Sequence, residues 1–226
     1  MNRILLFILL PALTVSCSKP KDIFRISGYI NNVENGETIL LATSPDGFTL
    51  NELSRAIVQD QKFCLNGTIE NSCIGYIYSK REGFDNRAMF FVEKGRTEIL
   101  VDSAYSRARG TPLNDMKNAT EDTVKGYIAQ LEDVEKACYS TPLGGDTLVQ
   151  LGARGLELQE RLLNYLYRTT EENVENPFGL YMLIAYNEFF TTAELYSLMT
   201  KIYSSEDVGE DLFYRTITDI LHKRQR

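Results

Sequence analysis

The sequence predicts a mixed α+β chain: an antiparallel β-sandwich-like domain over residues 23–102, then an α-helical bundle over 114–226. Three observations carry this. Apolar and polar residues alternate with a period of two from Ile23 to about Val101, and turn residues fill nearly every gap. After Asp102 the glycine and β-branched runs give way to helical spacing. The composition, 43% hydrophobic and 24% charged, is that of a chain able to build a core.

The strands follow in order. Phe24, Ile26, Gly28 and Ile30 alternate with Arg25, Ser27 and Tyr29, and a turn through Asn31-Asn32 and Glu34-Asn35-Gly36 leads to Thr38-Ile39-Leu40-Leu41. Ser44-Pro45-Asp46-Gly47 is a turn, since proline presets φ and glycine accepts left-handed backbone. Leu53 to Val58, Phe63 to Ile69, Cys73 to Ser79, Ala88 to Val92 and Thr97 to Val101 complete about seven strands. Such spacing suits an antiparallel sandwich or a partly closed barrel. Residues 103–113 read as a linker.

In the second half, Asn114 caps a predicted helix running to about Cys138, with Met116, Ala119, Val124, Ile128, Leu131 and Val134 as its apolar stripe. Thr141 to Gly145 stops it, and Asp146 caps a second helix whose Leu148, Leu151, Leu156, Leu158, Leu162, Leu163 and Leu166 make a wide apolar face. Asn176-Pro177 opens a third, Thr191-Thr192-Ala193-Glu194 has the form of a capping box for a fourth, and a fifth spans about Val208 to Lys223.

The N-terminus gives an address. Met1 to Cys17 holds one positive charge, an apolar run of about twelve residues broken by Pro11, and small residues before a cysteine, short of the roughly twenty residues a spanning helix needs. It resembles a bacterial lipoprotein signal, with Thr14-Val15-Ser16-Cys17 similar to a lipobox, although Thr14 stands where a leucine is usual. That resemblance implies removal of residues 1–16, a lipid on Cys17, a polar tether over 17–22, and a periplasm-facing protein anchored in the envelope, at the outer membrane. A secretory signal cut elsewhere and a buried apolar segment are the competing readings.

Charge and residue counts exclude several function classes. The net charge of −7 is spread along the chain, with no basic stripe to neutralise phosphates, so nucleic acid is not an expected partner. The single histidine, His222, lies five residues from the end, which leaves neither a serine-histidine-aspartate triad nor a histidine-based zinc site. No glycine-rich phosphate loop follows a strand, and Gly144-Gly145 falls between helices. Glu206, Asp207, Glu210 and Asp211 cluster around a helix start, where negative charge is favourable without any catalysis. No cofactor and no metal are expected.

With Cys17 lipidated, Cys64, Cys73 and Cys138 remain. Export to an oxidising compartment allows a Cys64 to Cys73 disulfide, while both residues equally suit small core thiols in strands. Cys138 has Glu132, Asp133 and Glu135 around it, the wrong charge for a reactive thiolate. Late aromatics, including Tyr181, Tyr186, Tyr196 and Tyr203, read either as packing between helices or as a binding surface.

Residues Ile23 to Val101, with Phe24-Arg25-Ile26-Ser27-Gly28-Tyr29-Ile30, Gly36-Glu37-Thr38-Ile39-Leu40-Leu41 and Gln61 to Asn71, resemble the N-terminal domain of unknown function of Bacteroidota lipoproteins. Gly110 to Asp115 and Glu175 to Tyr181 are similar to the linker and the asparagine-proline helix start that follow it there. In that family the domain commonly precedes a thioredoxin-like domain. Here the redox fold would begin about where the chain stops, at Arg226, and no Cys-x-x-Cys occurs. Asp102-Ser103-Ala104 resembles the O-glycosylation motif of exported Bacteroidota proteins, which makes Ser103 a candidate modification site; Asp122-Thr123-Val124 and Asp146-Thr147-Leu148 have the same form inside predicted helices.

The functional expectation is a non-catalytic binding or scaffold module, accessory to a separately encoded thioredoxin-like protein or another envelope protein. Two alternatives stand beside it: an enzyme using carboxylates or tyrosines in a cleft between the two domains, and a remnant of a thiol-disulfide interchange protein.

Overall fold

Alternation places one side of every strand in a shared interior. In the computed structural model, which describes residues 23–43, 51–79, 88–102, 106–142 and 144–203, eight strands form two four-stranded sheets and four helices follow. The strands are β1 (Ile23–Ile30), β2 (Thr38–Thr43), β3 (Asn51–Ile57), β4 (Lys62–Thr68), β5 (Cys73–Ser79), β6 (Ala88–Val92), β7 (Gly95–Val101) and β8 (Ser106–Arg109). Sheet A has the order β4-β1-β7-β8 and sheet B the order β3-β2-β5-β6. Phe24, Ile26, Leu65 and Ile99 from sheet A meet Ile39, Leu41, Ile77 and Phe90 from sheet B in one buried cluster.

Two glycines admit the rings of that core. Gly28 pairs with Phe63 and Gly67 with Phe24 across β1 and β4, so each glycine lies beneath the phenylalanine of the other strand. A Cβ at Gly28 would stand 2.2 Å from the Phe63 ring, and one at Gly67 would stand 2.5 Å from the Phe24 ring.

The sandwich departs from expectation in two places. β1 pairs in parallel with β7, from Phe24 opposite Gly95 to Ile30 opposite Val101, so sheet A is mixed rather than purely antiparallel. This pairing joins strands far apart in sequence, and no local pattern reports it. The stretch read as a linker contains β8, which pairs antiparallel with β7 and buries Ala108 between outward Arg107 and Arg109. Four residues are too few for alternation to stand out.

Both ends of the sandwich are closed. At one end a two-residue hairpin turn, Gln59 bridged to Lys62 around Asp60 and Gln61 with positive φ, 51° and 61°, carries the chain from β3 in sheet B to β4 in sheet A. Asn35 accepts the Asp60 amide at 2.7 Å, and the Gln61 carbonyl accepts the Ile30 amide at 2.8 Å. At the other end the edges of β6 and β8 are covered by the first helix.

The helices are α1 (Pro112–Ser140), α2 (Asp146–Glu171), α3 (Pro177–Tyr186) and α4 (Thr192–Tyr203), with a single 3-10 turn, Asn187–Phe189, between the last two. Their caps follow the sequence in part. Asn176 accepts the Phe178 amide at 2.8 Å ahead of Pro177, and Thr191 and Glu194 exchange the paired bonds of a capping box. The first two caps sit elsewhere than expected: Thr111 precedes α1 and Gly145 precedes α2, which leaves Asn114 inside the first turn and Asp146 as the first helical residue.

The helices are not a separate bundle. Ile74 on β5 and Phe91 on β6 point out of the sandwich into a second cluster with Leu162, Leu166, Phe178, Leu183 and Leu198. Sheet B is therefore buried on both faces along β5 and β6, while the described residues cover sheet A on one face only. Among the described residues, no helix is long and apolar enough to cross a membrane.

Candidate functional site

A helix that packs on a sheet edge meets backbone N–H and C=O groups, and it needs polar side chains to satisfy them. The first turns of α1 meet that need. Asn114 accepts the Phe91 amide at 2.9 Å and donates to the Phe91 carbonyl at 2.7 Å, standing in for a neighbouring strand along β6. One turn later Asn118 donates to the Ala108 carbonyl of β8 at 2.6 Å. Glu93, buried in the β6–β7 turn, accepts the Leu113 and Asn114 amides and so caps α1 from outside the helix. The buried side of α1 consists here of Asn114, Lys117, Asn118 and Thr120, whereas Met116 and Ile128 of the expected apolar stripe are exposed.

Above this suture lies a buried polar knot. The Tyr181 hydroxyl donates to Glu121 at 2.9 Å, Lys117 pairs with the same carboxylate at 2.7 Å, and the Lys117 ammonium stands 5.6 Å from the Tyr181 ring centre. Burial, then the Glu121 charge, push the Tyr181 phenol far up, and burial likewise holds Tyr186 up at about 12. Both phenols therefore stay protonated at neutral pH. Tyr181 is only 3% exposed, with its ring against Phe91, Phe178 and Tyr186. A carboxylate and tyrosines meet at this sheet–helix junction, with Tyr181 and Lys117 buried and Glu121 and Tyr186 half-buried. A separate cleft of about 430 Å³ opens beside Glu93, Lys94, Pro112 and Asn176.

The other candidate is the outer face of sheet A. Register puts its outward side chains in three rows: Asn66, Arg25 and Arg96; Cys64, Ser27, Glu98 and Arg109; Lys62, Tyr29, Leu100 and Arg107. Arg109 pairs with Glu98 at 2.8 Å and Arg107 with Asp122 of α1 at 2.6 Å, and the Arg107 bond pulls the Asp122 carboxyl below its ordinary value. Arg25, Arg96 and Lys62 are exposed and have no acidic partner among the described residues. A depression of about 460 Å³ lies here over Tyr29, Leu100 and the stems of Lys62, Arg107 and Arg109. The Tyr29 hydroxyl donates to Gln61 of the hairpin turn, which holds the ring at the rim.

The residues singled out in the sequence do not form one site. Cys17 and Ser103 lie outside the described residues, as do the Ser44–Gly47 turn and the fifth helix. Cys64 and Cys73 are free thiols on different sheets: Cys64 is exposed on the outer face of β4, and Cys73 faces the sandwich core at the start of β5. The two sulfurs are not bonded in this arrangement, and burial pushes the Cys73 thiol up to about 11. The four tyrosines are dispersed too. Tyr181 is core, Tyr186 is half-buried beside it, Tyr196 is 49% exposed on α4, and Tyr203 is the last described residue of that helix. Sequence reasoning missed the sheet A face because its cations come from four strands whose order was not known. The signal was present: Arg25, Arg96, Arg107 and Arg109 each occupy a polar position of an alternating stretch.

Residues 24–116 match a protein family described as a domain of unknown function, DUF4369, so a DUF4369 domain spans the eight strands and ends in the first turns of α1. Its last residues include Asn114 but not Asn118 or the polar knot. No curated protein and no solved structure matches the chain.

Proposed function

We propose that this chain is a non-catalytic binding or scaffold module of the cell envelope, held to the membrane by a lipid on Cys17 and facing the periplasm. The observation that carries the binding reading is the contrast in how polar groups are used. In the suture and the knot nearly all of them are occupied by one another, Asn118 Oδ1 aside, whereas the outer face of sheet A carries Arg25, Arg96 and Lys62 exposed and without an acidic partner among the described residues, Lys62 at the wall of a depression. Its partner is another protein of the envelope, a separately encoded thioredoxin-like protein among the candidates. A host that lipidates exported proteins tests the address. The intact mass should fit loss of residues 1–16 and an acylated Cys17, and Cys17→Ser should release the protein from membranes; an unprocessed N-terminus removes the address. Cross-linking in cells tests the role, since repeated recovery of no protein partner would sink it.

A second reading is favoured by Glu121 and Tyr181 meeting at the sheet–helix junction: an enzyme that uses this carboxylate and tyrosine between the strand and helical regions. It requires Glu121→Gln to abolish a turnover while the fold persists. A wild-type chain that turns over no ester, glycoside or peptide substrate in a broad screen removes that reading.

A further inference from the structure

We infer that the outer face of sheet A binds an extended acidic segment of a partner protein, one carrying carboxylates at alternate positions; this rests on the binding-module reading above and specifies its surface. The first argument is charge. The chain carries −7 overall, yet the outward positions of these four strands hold Arg25, Arg96, Arg107, Arg109 and Lys62 against two carboxylates, Glu98 beside Arg109 and Asp122 of α1 beside Arg107. Segregation of that kind gives a local positive field on an acidic molecule, which steers an acidic partner to one face and repels it from the rest.

The second argument is spacing. Successive rows lie two residues apart along the strands, about 6.8 Å, and same-face side chains of any extended peptide recur at the same interval. Each row supplies a cation: Arg25 and Arg96 in the first, Arg109 in the second, Lys62 and Arg107 in the third. A segment laid along the strands with acids at i, i+2 and i+4 therefore meets one cation at each step. Arg25, Arg96 and Lys62 need break no existing ion pair to do so, and Arg109 can share its fork between Glu98 and the newcomer.

The third argument is shape. The face is hollowed by about 460 Å³ over Tyr29 and Leu100. A hollow of that size takes an apolar side chain of the same segment, and a flat bilayer surface would leave it unfilled. The cations stand on the face of sheet A and not along its edges, where the Gln59–Lys62 bridge ties the start of β4 and Asn118 of α1 takes the Ala108 carbonyl of β8, so the segment lies across the face and does not add a strand.

The test is fluorescence anisotropy on the full chain in detergent with a labelled ten-residue peptide alternating Glu and Val. Comparison probes are a peptide of the same composition with its Glu residues contiguous, a Lys-Val peptide, and vesicles of anionic phospholipid. The alternating peptide should bind, the Lys-Val peptide should not, and raising salt from 50 to 300 mM should weaken binding by about tenfold. A chain with Arg25→Gln, Arg96→Gln and Lys62→Gln should lose about tenfold in affinity. Cys64, in the middle row, supplies a native reporter: its reaction with a maleimide should slow several-fold when the peptide is bound. No binding at millimolar peptide, equal binding by the triple variant, or equal binding of the contiguous peptide each overturns the proposal. Vesicles that bind through the same three residues, in preference to the peptide, overturn it in favour of a lipid surface. Failure here is separable from failure of the module reading. If cross-linking in cells recovers the same partner with wild type and triple variant, the module stands and this surface falls.

Discussion

Sheets A and B share one interior and differ in what lies outside it. Sheet B presents Ile74, Tyr76, Met89 and Phe91 to the helices, and each is buried or half-buried there. Sheet A presents arginines, a lysine and a short polar set to solvent. The difference teaches where the helical region draws its stability and which face of the strands the described helices leave uncovered. The attachment has two parts, an aromatic contact on the face of sheet B and a polar suture at the edges. The free face has neither.

The aromatic contact is the larger of the two. Phe91 is 1% exposed, and its ring centre lies 5.9 Å from that of Phe178 and 5.8 Å from that of Tyr181. Phe91→Ala should cost about 3–5 kcal/mol, because the lost ring leaves a cavity between two rigid layers. Urea unfolding followed by tyrosine fluorescence measures it. A loss below about 1 kcal/mol would mean that the helices do not depend on this face.

Next comes the suture. Asn114→Ala leaves the Phe91 amide and carbonyl without partners under a helix that excludes water, at a cost of about 3 kcal/mol. Hydrogen exchange at the Phe91 amide should accelerate in step. Unchanged protection would show that water replaces the asparagine, and the edge would then count as open like the face of sheet A.

The same contrast explains what could be read from the sequence. Strands reveal themselves by alternation, and Phe24 to Ile30 or Phe63 to Leu65 could be assigned inward and outward residue by residue. Helix α2 is legible in part: Leu158, Leu162 and Leu166 of the expected face are buried at four-residue spacing and Leu148, Leu151 and Leu163 are half-buried, while Leu156 stands 70% exposed on the other side. In α1 the stripe holds at Val124, with Leu131 and Val134 half-buried, and fails in the first turns for a physical reason. A helix docked on backbone buries amides and hydroxyls, so Asn114, Asn118 and Thr120 are inside while Met116 and Ile128 are out. The basic face of sheet A was illegible for another reason: it exists only once β7 lies beside β1 and β8 beside β7, and such long-range pairing leaves no local trace. Cys64 and Cys73 were read together because they are close in sequence; the chain crosses from one sheet to the other between them.

Alkaline pH should separate the buried side from the open one. The Cys73 thiol ordinarily ionises near 9.0, and burial holds it up at about 11, so the unfolded chain gives up that proton first. Stability is therefore full below about pH 9 and falls as pH rises toward 11, by about 2 kcal/mol. Tyr181 and Tyr186, also raised, extend the loss above about pH 10. Cys73→Ala should flatten the decline between pH 9 and 10 and leave the steeper part. A thiol titration in which Cys73 reacts as readily as exposed Cys64 at pH 8 would contradict the burial on which this rests.

The smallest effect is the most discriminating. Replacing Arg25, Arg96 and Lys62 together by Gln should move stability by no more than about 0.5 kcal/mol, since exposed side chains with no ion pair contribute little to folding. If anything the change relieves repulsion, because Arg25 and Arg96 are opposite each other on paired strands, and like charges so placed oppose the sheet. A folded chain that keeps an adjacent pair of arginines, unpaired and exposed, retains a feature its own stability does not require. Should the triple variant instead lose several kcal/mol, those cations would have an intramolecular task, and the open face would belong with the suture as part of the fold.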